Sequence, residues 1–448
     1  MRRELLEKYD VPAPRYTSYP TVPHWNSQAP AMVQWLQQTQ LALGVSPEIS
    51  LYIHLPFCEN LCTYCGCSKR ITKNHKVERP YVESLLQEWQ LYLDAFPFKP
   101  SIKEIHLGGG TPTFFEPEHL RKLFVGLLRG AKVAQDYQFS FEAHPNNTTY
   151  EHLHTLHQLG FNRISIGVQD FDDYILKTIN RLQTTEDVIR VTEQARKLGY
   201  SSINYDLVYG LPFQTRKQIM HTIRKVKELQ PDRIAFYSYA HVPWVSPSQR
   251  AYSEKDIPVG ATKRSLYELG SRLLSQIGYS SIGMDHFALP SDELFTALKN
   301  NTLHRNFMGY TSRYTRLMIG LGASSISDSW TAFVQNEKNV EAYQAAVARG
   351  ELPIIKGHLL SSEDQMIRQH ILNLMCRYST SWKKSSPILQ SGIERLRPLA
   401  EDNMVEIGNN YIEVLDDGKP FIRNICMALD DYVANQHQRR ENIFSQAI

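Results

Sequence analysis

LYIHLPFCENLCTYCGCSKR, residues 51–70, joins a strand-like run to a loop carrying four of the chain's six cysteines. The apolar and aromatic residues of SLYIHLPF (50–57) predict a buried strand. Directly after it the thiols fall as C-x3-C-x2-C at Cys58, Cys62 and Cys65, with Cys67 two residues further on. Three thiolates from one short loop can occupy three corners of a 4Fe-4S cubane and leave the fourth iron without a protein ligand. An open iron is what the chemistry needs, because a substrate must bind the metal to be reduced by it. Zinc is the competing reading. Structural zinc sites usually draw four ligands from two separated pairs, and the sequence has no second CxxC or HxxxH. The Cys65-Gly66-Cys67 spacing is too tight for one cubane to take all four thiols, so the expected ligands are Cys58, Cys62 and Cys65. Cys376 and Cys426 stand alone in apolar contexts and read as small core residues. Disulfides are not expected for thiols this crowded in a chain whose start, MRRELLEKYDVPAPRYTSYP, has no signal-peptide core.

Working outward, a strand-like run followed by a helix-like run recurs about every 35 residues. The strands are expected at 50–57, 103–107 (KEIHL), 138–143 (QFSFEA), 163–168 (RISIGV), 203–210 (INYDLVYG) and 233–239 (RIAFYSY). The helix after the first opens with Pro80 and repeats Leu85, Trp89 and Leu93 at four-residue spacing. Gly160 and Gly199 stand where two later helices would need C-terminal caps. Six such units predict an α/β fold, a parallel sheet closed or nearly closed into a partial (β/α)6 barrel. A doubly wound sheet shares the alternation. The barrel is preferred because polar and glycine-rich residues sit at nearly every strand end, and in a barrel those ends meet at one mouth.

Beyond about residue 355 the pattern changes. HLLSSEDQMIRQHILNLMC (358–376) has a helix start signal, and a second helical run, a hairpin-like NNYIEVLDDGK (409–419) and a final helix over FIRNICMALDDYVANQ (421–436) follow. The expected organisation is an N-terminal arm over 1–48, a barrel over 49–290, a barrel extension over 291–355 and a helical or winged-helix-like unit over 356–448. Across its 448 residues the chain is 42% hydrophobic and 21% charged, with a net charge of +3 and the two signs interleaved. That balance speaks against a nucleic-acid footprint. With no apolar run of about eighteen residues, no membrane span is expected, and the expected location is the cytoplasm.

The strand ends carry the remaining signals. Gly108, Gly109 and Gly110 exceed what a tight turn requires, and they let backbone amides approach a ligand. Glu142 is an acid ending an apolar run. Gln169 and Asp170 end the fourth strand, Arg181 follows in the next loop, and Asp206 lies inside the fifth. A charge inside a strand is costly unless paired, so Asp206 is expected to face a polar ligand or Arg181. His54 shares a strand face with Tyr52 and reads as a satisfied core histidine. His286, His304 and Arg305 are further pocket candidates, but they read more readily as surface residues.

The cysteine loop is the signature of the radical S-adenosylmethionine superfamily. The chain resembles the oxygen-independent coproporphyrinogen III oxidases within it. The resemblance runs through PRYTSYPT (14–21), GGGTPT (108–113), GVQDF (167–171), NRLQ (180–183), DLVYGLPFQT (206–215), PDRIAFYSYAHVP (231–243), GMDHFALP (283–290), LHRNFMGYT (303–311) and RNICM (423–427). It implies one 4Fe-4S cluster and two S-adenosylmethionine molecules. The first contacts the glycine loop at Gly109, together with Tyr52, Tyr64, Glu142, Ala240 and Ile326. Gly110, Thr111, Gln169, Arg181 and Asp206 surround the second. It further implies that PRYTSYPT, with Arg15, covers the substrate cavity, against the plainer reading of an arm packed for stability. The implied reaction is removal of a hydrogen from a propionate side chain of coproporphyrinogen III, then loss of CO2 and one electron to leave a vinyl group, done twice to give protoporphyrinogen IX. A flavodoxin or ferredoxin is the expected electron donor, and a monomer the expected state.

Two departures stand out. His144 follows where many relatives carry a second acid or another polar residue, and SRYTRLMIGLG (312–322) lacks an aspartate common before the apolar run. The rival readings are another tetrapyrrole-directed radical enzyme and a haem-binding chaperone of the superfamily. PRYTSYPT and RNICM point away from the first, and PRYTSYPT and Cys67 away from the second.

Overall fold

The computed structural model describes residues 3–26, 30–244, 246–384, 386–435 and 446. All six expected strands form: β1 (Glu48–Leu55), β2 (Ser101–Gly109), β3 (Lys132–Ala143), β4 (Arg163–Gln169), β5 (Ser202–Tyr209) and β6 (Arg233–Ser238). They pair in sequence order, each parallel to the next. Helices such as Glu78–Ala95, Pro117–Arg129 and Thr185–Leu198 connect them. The sheet continues on both sides. β7 (Ser280–Gly283) and β8 (His286–Ala288) add antiparallel strands beyond β6. β9 (Leu317–Leu321) pairs parallel to β1, with β10 (Ile326–Asp328), β11 (Ala332–Asn336) and β12 (Ile354–Leu359) antiparallel beyond it. The order ends at β12 on one side and β7 on the other. The sheet is therefore an open partial barrel.

The six strands alternate with period two. Ile49, Leu51, Ile53, Ile105, Phe139, Phe141, Ile164, Ile166, Ile203 and Leu207 are buried within one apolar core that also takes in Leu85, Trp89, Leu123 and Val191 of the helices. The residues between them are of another kind. Register sets Tyr52 beside His106, His106 beside Ser140, Glu142 beside Ser165, Ser165 beside Asn204 and Gly167 beside Asp206. A packed barrel fills these positions with branched aliphatics. Here they line an inner face built to be polar. Among the motif glycines, Gly199 closes its helix at φ 96°, the left-handed cap that its sequence position suggested.

Downstream, helix Ser362–Arg377, β13 (Ser379–Ser381), helix Pro387–Glu401, β14 (Val405–Ile407) and β15 (Tyr411–Val414) follow one another. The expected two-stranded wing has a third member, because β13 pairs with β15. A separate apolar cluster holds this part together, from Ile367 and Leu389 to Phe421 and Leu429, and it includes Leu5, Tyr16 and Tyr19. The expected final helix breaks into Ile422–Ala428 and Asp431–Ala434; position 436, where it was expected to end, lies outside the described residues. Cys376 and Cys426 are buried, as their contexts implied. No helix among the described residues is long and apolar enough to cross a membrane.

Candidate functional site

The C-terminal ends of β1 to β6 open into a cavity of ≈ 420 Å³. Its lining brings together Cys58, Cys62, Tyr64, Cys65, Cys67, Gly109, Gly110, Thr111, Glu142, Gln169, Arg181, Asp206 and Ala240. Tyr52 and Ile326 lie outside that lining. Tyr52 sits one layer below, stacked on His106 at 6.1 Å. Ile326 belongs to β10, where its carbonyl oxygen would collide with a Cβ on Gly320, so that glycine is needed for β9 and β10 to approach. Ile326 packs against the Trp25–Phe333 cluster.

The cysteine loop is pinned from several sides. Cys58 is buried and ends a short parallel pairing of Phe57–Cys58 with Arg70–Ile71. The Thr111 hydroxyl donates to Cys58 Sγ at 3.4 Å. Gln249 Nε2 donates to the carbonyls of Tyr64 (3.1 Å) and Ala240 (3.2 Å), and the Ser246 hydroxyl donates to the Cys65 carbonyl at 3.2 Å. Lys69 Nζ donates to the carbonyls of Cys65 and Cys67, and Asn180 Nδ2 to that of Leu61 at 2.7 Å. The thiols are electrically unequal. Burial pushes Cys58 up to about 11. Hydrogen bonding from Cys67 outweighs burial at Cys65 and lowers it to about 6. A thiolate at Cys65 is the protonation state a metal ligand needs. Among the described residues no three His, Cys, Asp or Glu side chains gather around one point as they would around a single ion. The three thiols line one cavity from one loop, a donor set that suits an iron–sulfur cluster.

The glycine loop is shaped by close approach of its backbone to that of the cysteine loop. Gly109 has φ 117°. A Cβ on Gly110 would stand 2.6 Å from the Pro56 carbonyl oxygen. Gly110 N donates to Leu55 O at 2.8 Å, which ties the ends of β1 and β2 together. Glu142 lies 3.3 Å from His106 Nε2, and a Cβ on Gly108 would meet its Oε1 at 2.8 Å.

Arg181 is 9% exposed. Burial opposes its charge, but Tyr64 and the cysteine sulfurs outweigh it, so its pKa is raised. It donates through Nε to Gln183 Oε1 at 2.8 Å, through Nη2 to the Gly167 carbonyl, and through Nη1 towards Cys62 Sγ at 3.7 Å. A Cβ on Gly167 would come within 2.8 Å of Nη2, so the absence of a side chain there makes room for the guanidinium. None of these partners is a carboxylate. A buried guanidinium held by neutral groups and a thiol calls for an anion. Gln169, at φ 68°, turns β4 out of the sheet beside it. Left-handed backbone at a non-glycine is the kind of strain found at ligand sites.

Of the two expectations for Asp206, a polar ligand or Arg181, the ion pair with Arg181 does not form, and the carboxylate lines the cavity. Asp206 accepts from Ser165 Oγ (2.8 Å) and Asn204 Nδ2 (2.9 Å), its neighbours across the inner face. Burial first, and Glu142 second, raise it to about 6. With Glu142 and Tyr237 it separates the main cavity from a second one of ≈ 120 Å³ lined by Glu104, Arg233, His286 and Tyr310. The surface reading of His286 and Arg305 is therefore wrong. His286 lines that inner cavity and Arg305 is buried, while His304 is half-buried. His54 is the satisfied core histidine expected, between Tyr52 OH (3.0 Å) and Ser68 O (2.9 Å). PRYTSYPT bridges two parts of the chain: Arg15 pairs with Asp285, and Tyr16 OH donates to Asp430 at 3.0 Å. Sequence reasoning missed His106, Ser165 and Asn204, although period-two alternation puts each on the face of an assigned residue. It also missed Ser246 and Gln249, which no pattern signals.

Residues 52–226 match the radical SAM superfamily model. The chain is 35% identical to an oxygen-independent coproporphyrinogen III oxidase of Pseudomonas aeruginosa, over 99% of this chain and 98% of that protein. The same-named protein of Escherichia coli is 34% identical over 99% and 98% of the two chains. The solved structure of Escherichia coli coproporphyrinogen III oxidase, described as a radical SAM enzyme, superposes with a TM-score of 0.87 at 35% identity, covering 93% of this chain and 97% of that one. With its three-cysteine loop at the mouth of a six-strand partial barrel, this chain belongs to the oxygen-independent coproporphyrinogen III oxidases of the radical SAM superfamily.

Proposed function

We propose that the chain converts two propionate groups of coproporphyrinogen III to vinyl groups without oxygen, yielding protoporphyrinogen IX for haem synthesis. The observation that carries this reading is the convergence of Cys58, Cys62 and Cys65 with Arg181, Glu142 and Asp206 around one cavity, in a chain similar along its whole length to proteins of that name. When bound there, a 4Fe-4S cluster and S-adenosylmethionine supply the one-electron chemistry that removes a hydrogen atom from the substrate. The protein's share is binding, orientation and exclusion of water. Cys58, Cys62 and Cys65 hold iron. The loop at Gly109 and Gly110 admits a polar ligand against the backbone, and Glu142 accepts from its amine or hydroxyl groups. Tyr52, Tyr64, Ala240 and Ile326 complete that first pocket, with Tyr52 and Ile326 acting from behind the lining.

The same reading assigns a second S-adenosylmethionine to Gly110, Thr111, Gln169, Arg181 and Asp206, where the guanidinium supplies the charge for a carboxylate. It further assigns residues 1–48 as an arm over the cavity, 49–290 as the barrel, 291–355 as its extension and 356–448 as a separate unit. A low-potential flavodoxin or ferredoxin serves as donor to a monomer in the cytoplasm. The test is anaerobic. Iron- and sulfide-reconstituted protein is given reductant, S-adenosylmethionine and coproporphyrinogen III. The expected result is 5′-deoxyadenosine together with products lighter by one and two CO2. Deoxyadenosine without CO2 loss would discard the substrate, and haem binding with neither product would discard the activity.

A further inference from the structure

His144 is the residue directly after β3 and lines the cysteine cavity. Its carbonyl is committed to the turn that follows, accepting from Asn147 N (3.1 Å), Thr148 N (3.0 Å) and the Thr148 hydroxyl (2.8 Å). The ring is used on one side only. Asn146 N donates to Nδ1 at 3.2 Å. A backbone N–H can only donate, so Nδ1 presents its lone pair and the single ring proton of the neutral imidazole sits on Nε2. Burial first, and the Arg181 charge second, keep the ring in that neutral form. Nε2 has no hydrogen-bond partner among the described residues.

The ring therefore offers an unused donor to a cavity whose one buried guanidinium, Arg181, is held by neutral groups and a thiol. Two donors of this kind, one cationic and one neutral, suit an oxygen-rich ligand group. An acid at position 144 would instead set a negative charge near Arg181. We propose that His144 is a binding residue of the Arg181 side of the cavity, donating its Nε2–H to a carboxylate or hydroxyl oxygen of the second nucleoside amino acid. This rests on the reading that the cavity takes two S-adenosylmethionine molecules.

The test is equilibrium dialysis of labelled S-adenosylmethionine against iron-loaded protein, anaerobic and without reductant or tetrapyrrole. Two variants separate ligand binding from local structure. In His144→Asn the side-chain oxygen still accepts from Asn146 N, as in an Asx turn, but no donor reaches the cavity. In His144→Gln the amide nitrogen reaches about as far as Nε2. The wild type is expected to hold two equivalents. In His144→Asn one of the two is expected to bind about tenfold more weakly, about 1.4 kcal/mol, with the other equivalent and the iron content unchanged. His144→Gln is expected to recover most of the loss. Wild-type binding by His144→Asn, or loss of both equivalents or of iron, overturns the inference. A wild type that holds a single equivalent overturns the two-molecule reading itself, and the inference with it.

Discussion

The Thr111 hydroxyl donates to Cys58 Sγ at 3.4 Å, so the glycine loop after β2 and the cysteine loop after β1 are fastened side chain to side chain. Thr111→Val keeps the shape and removes the donor. One hydrogen bond contributes about 0.5–1.5 kcal/mol, so reconstituted Thr111→Val is expected to surrender iron to a chelator about two- to tenfold faster than wild type. Equal stripping rates would show the contact to be incidental.

Cys67 separates from its neighbours in a ligand scan. Its side chain is exposed and its N–H donates to Cys65 Sγ at 3.4 Å. Alanine at Cys58, Cys62 or Cys65 is expected to abolish iron incorporation measured on anaerobically reconstituted protein. Cys67→Ala is expected to retain it. Iron lost from Cys67→Ala and kept in one of the other three would reverse the ligand assignment.

Gly110→Ala tests the loop's close approach. The added methyl would stand 2.6 Å from Pro56 O and 2.8 Å from Phe57 O, both backbone atoms that cannot rotate away. Overpacking of this kind costs about 1–3 kcal/mol, so a lowered denaturant midpoint is expected together with reduced S-adenosylmethionine binding. An unchanged midpoint with full binding would mean that the loop has room to spare.

Glu88 links stability to pH from outside the cavity. It is fully buried and accepts from Asn336 Nδ2 (2.6 Å), Tyr343 OH (2.7 Å) and Gly322 N (2.8 Å). Burial outweighs these donors and raises its pKa from 4.5 to about 7. Between those values the folded chain keeps a proton that the unfolded chain has released. The contribution is therefore whole below about pH 4.5 and gone above about 7, a change of roughly 3 kcal/mol. Glu88→Gln cannot titrate, and its amide faces the donating nitrogen of Asn336. The variant is expected to be the less stable of the two in acid, with the gap closing as pH rises through 7 in denaturant melts. A gap constant with pH would place the Glu88 pKa at its ordinary value.

The six parallel strands were legible because each sets large apolar residues at alternate positions over a short run bounded by turn residues. Ile49 to Leu55 and Ile164 to Val168 allow few other readings. β7 to β12 were not legible. His286–Ala288 is three residues long, too short to carry a pattern, and is held by β6 on one side and β7 on the other. The cysteine and glycine loops announced themselves by spacing. Arg181 and Asp206 were singled out individually, but their protein partners were not legible, because a guanidinium that bonds Gly167 O and a carboxylate that bonds Asn204 depend on strand register. His286 and Arg305 were misplaced for a related reason: a polar residue in a short polar segment looks like surface until a second layer of chain covers it.

The supports of the cysteine loop also set a timetable. Tyr64 and Gln249 are 185 positions apart yet share a hydrogen bond, and Ser246 reaches Cys65 across a similar span. During synthesis the thiols leave the ribosome long before the residues that clamp them. The loop acquires its final shape only after the sixth strand has docked, so metal delivery waits on a nearly complete barrel, and a chain stalled earlier would expose loose, oxidisable cysteines.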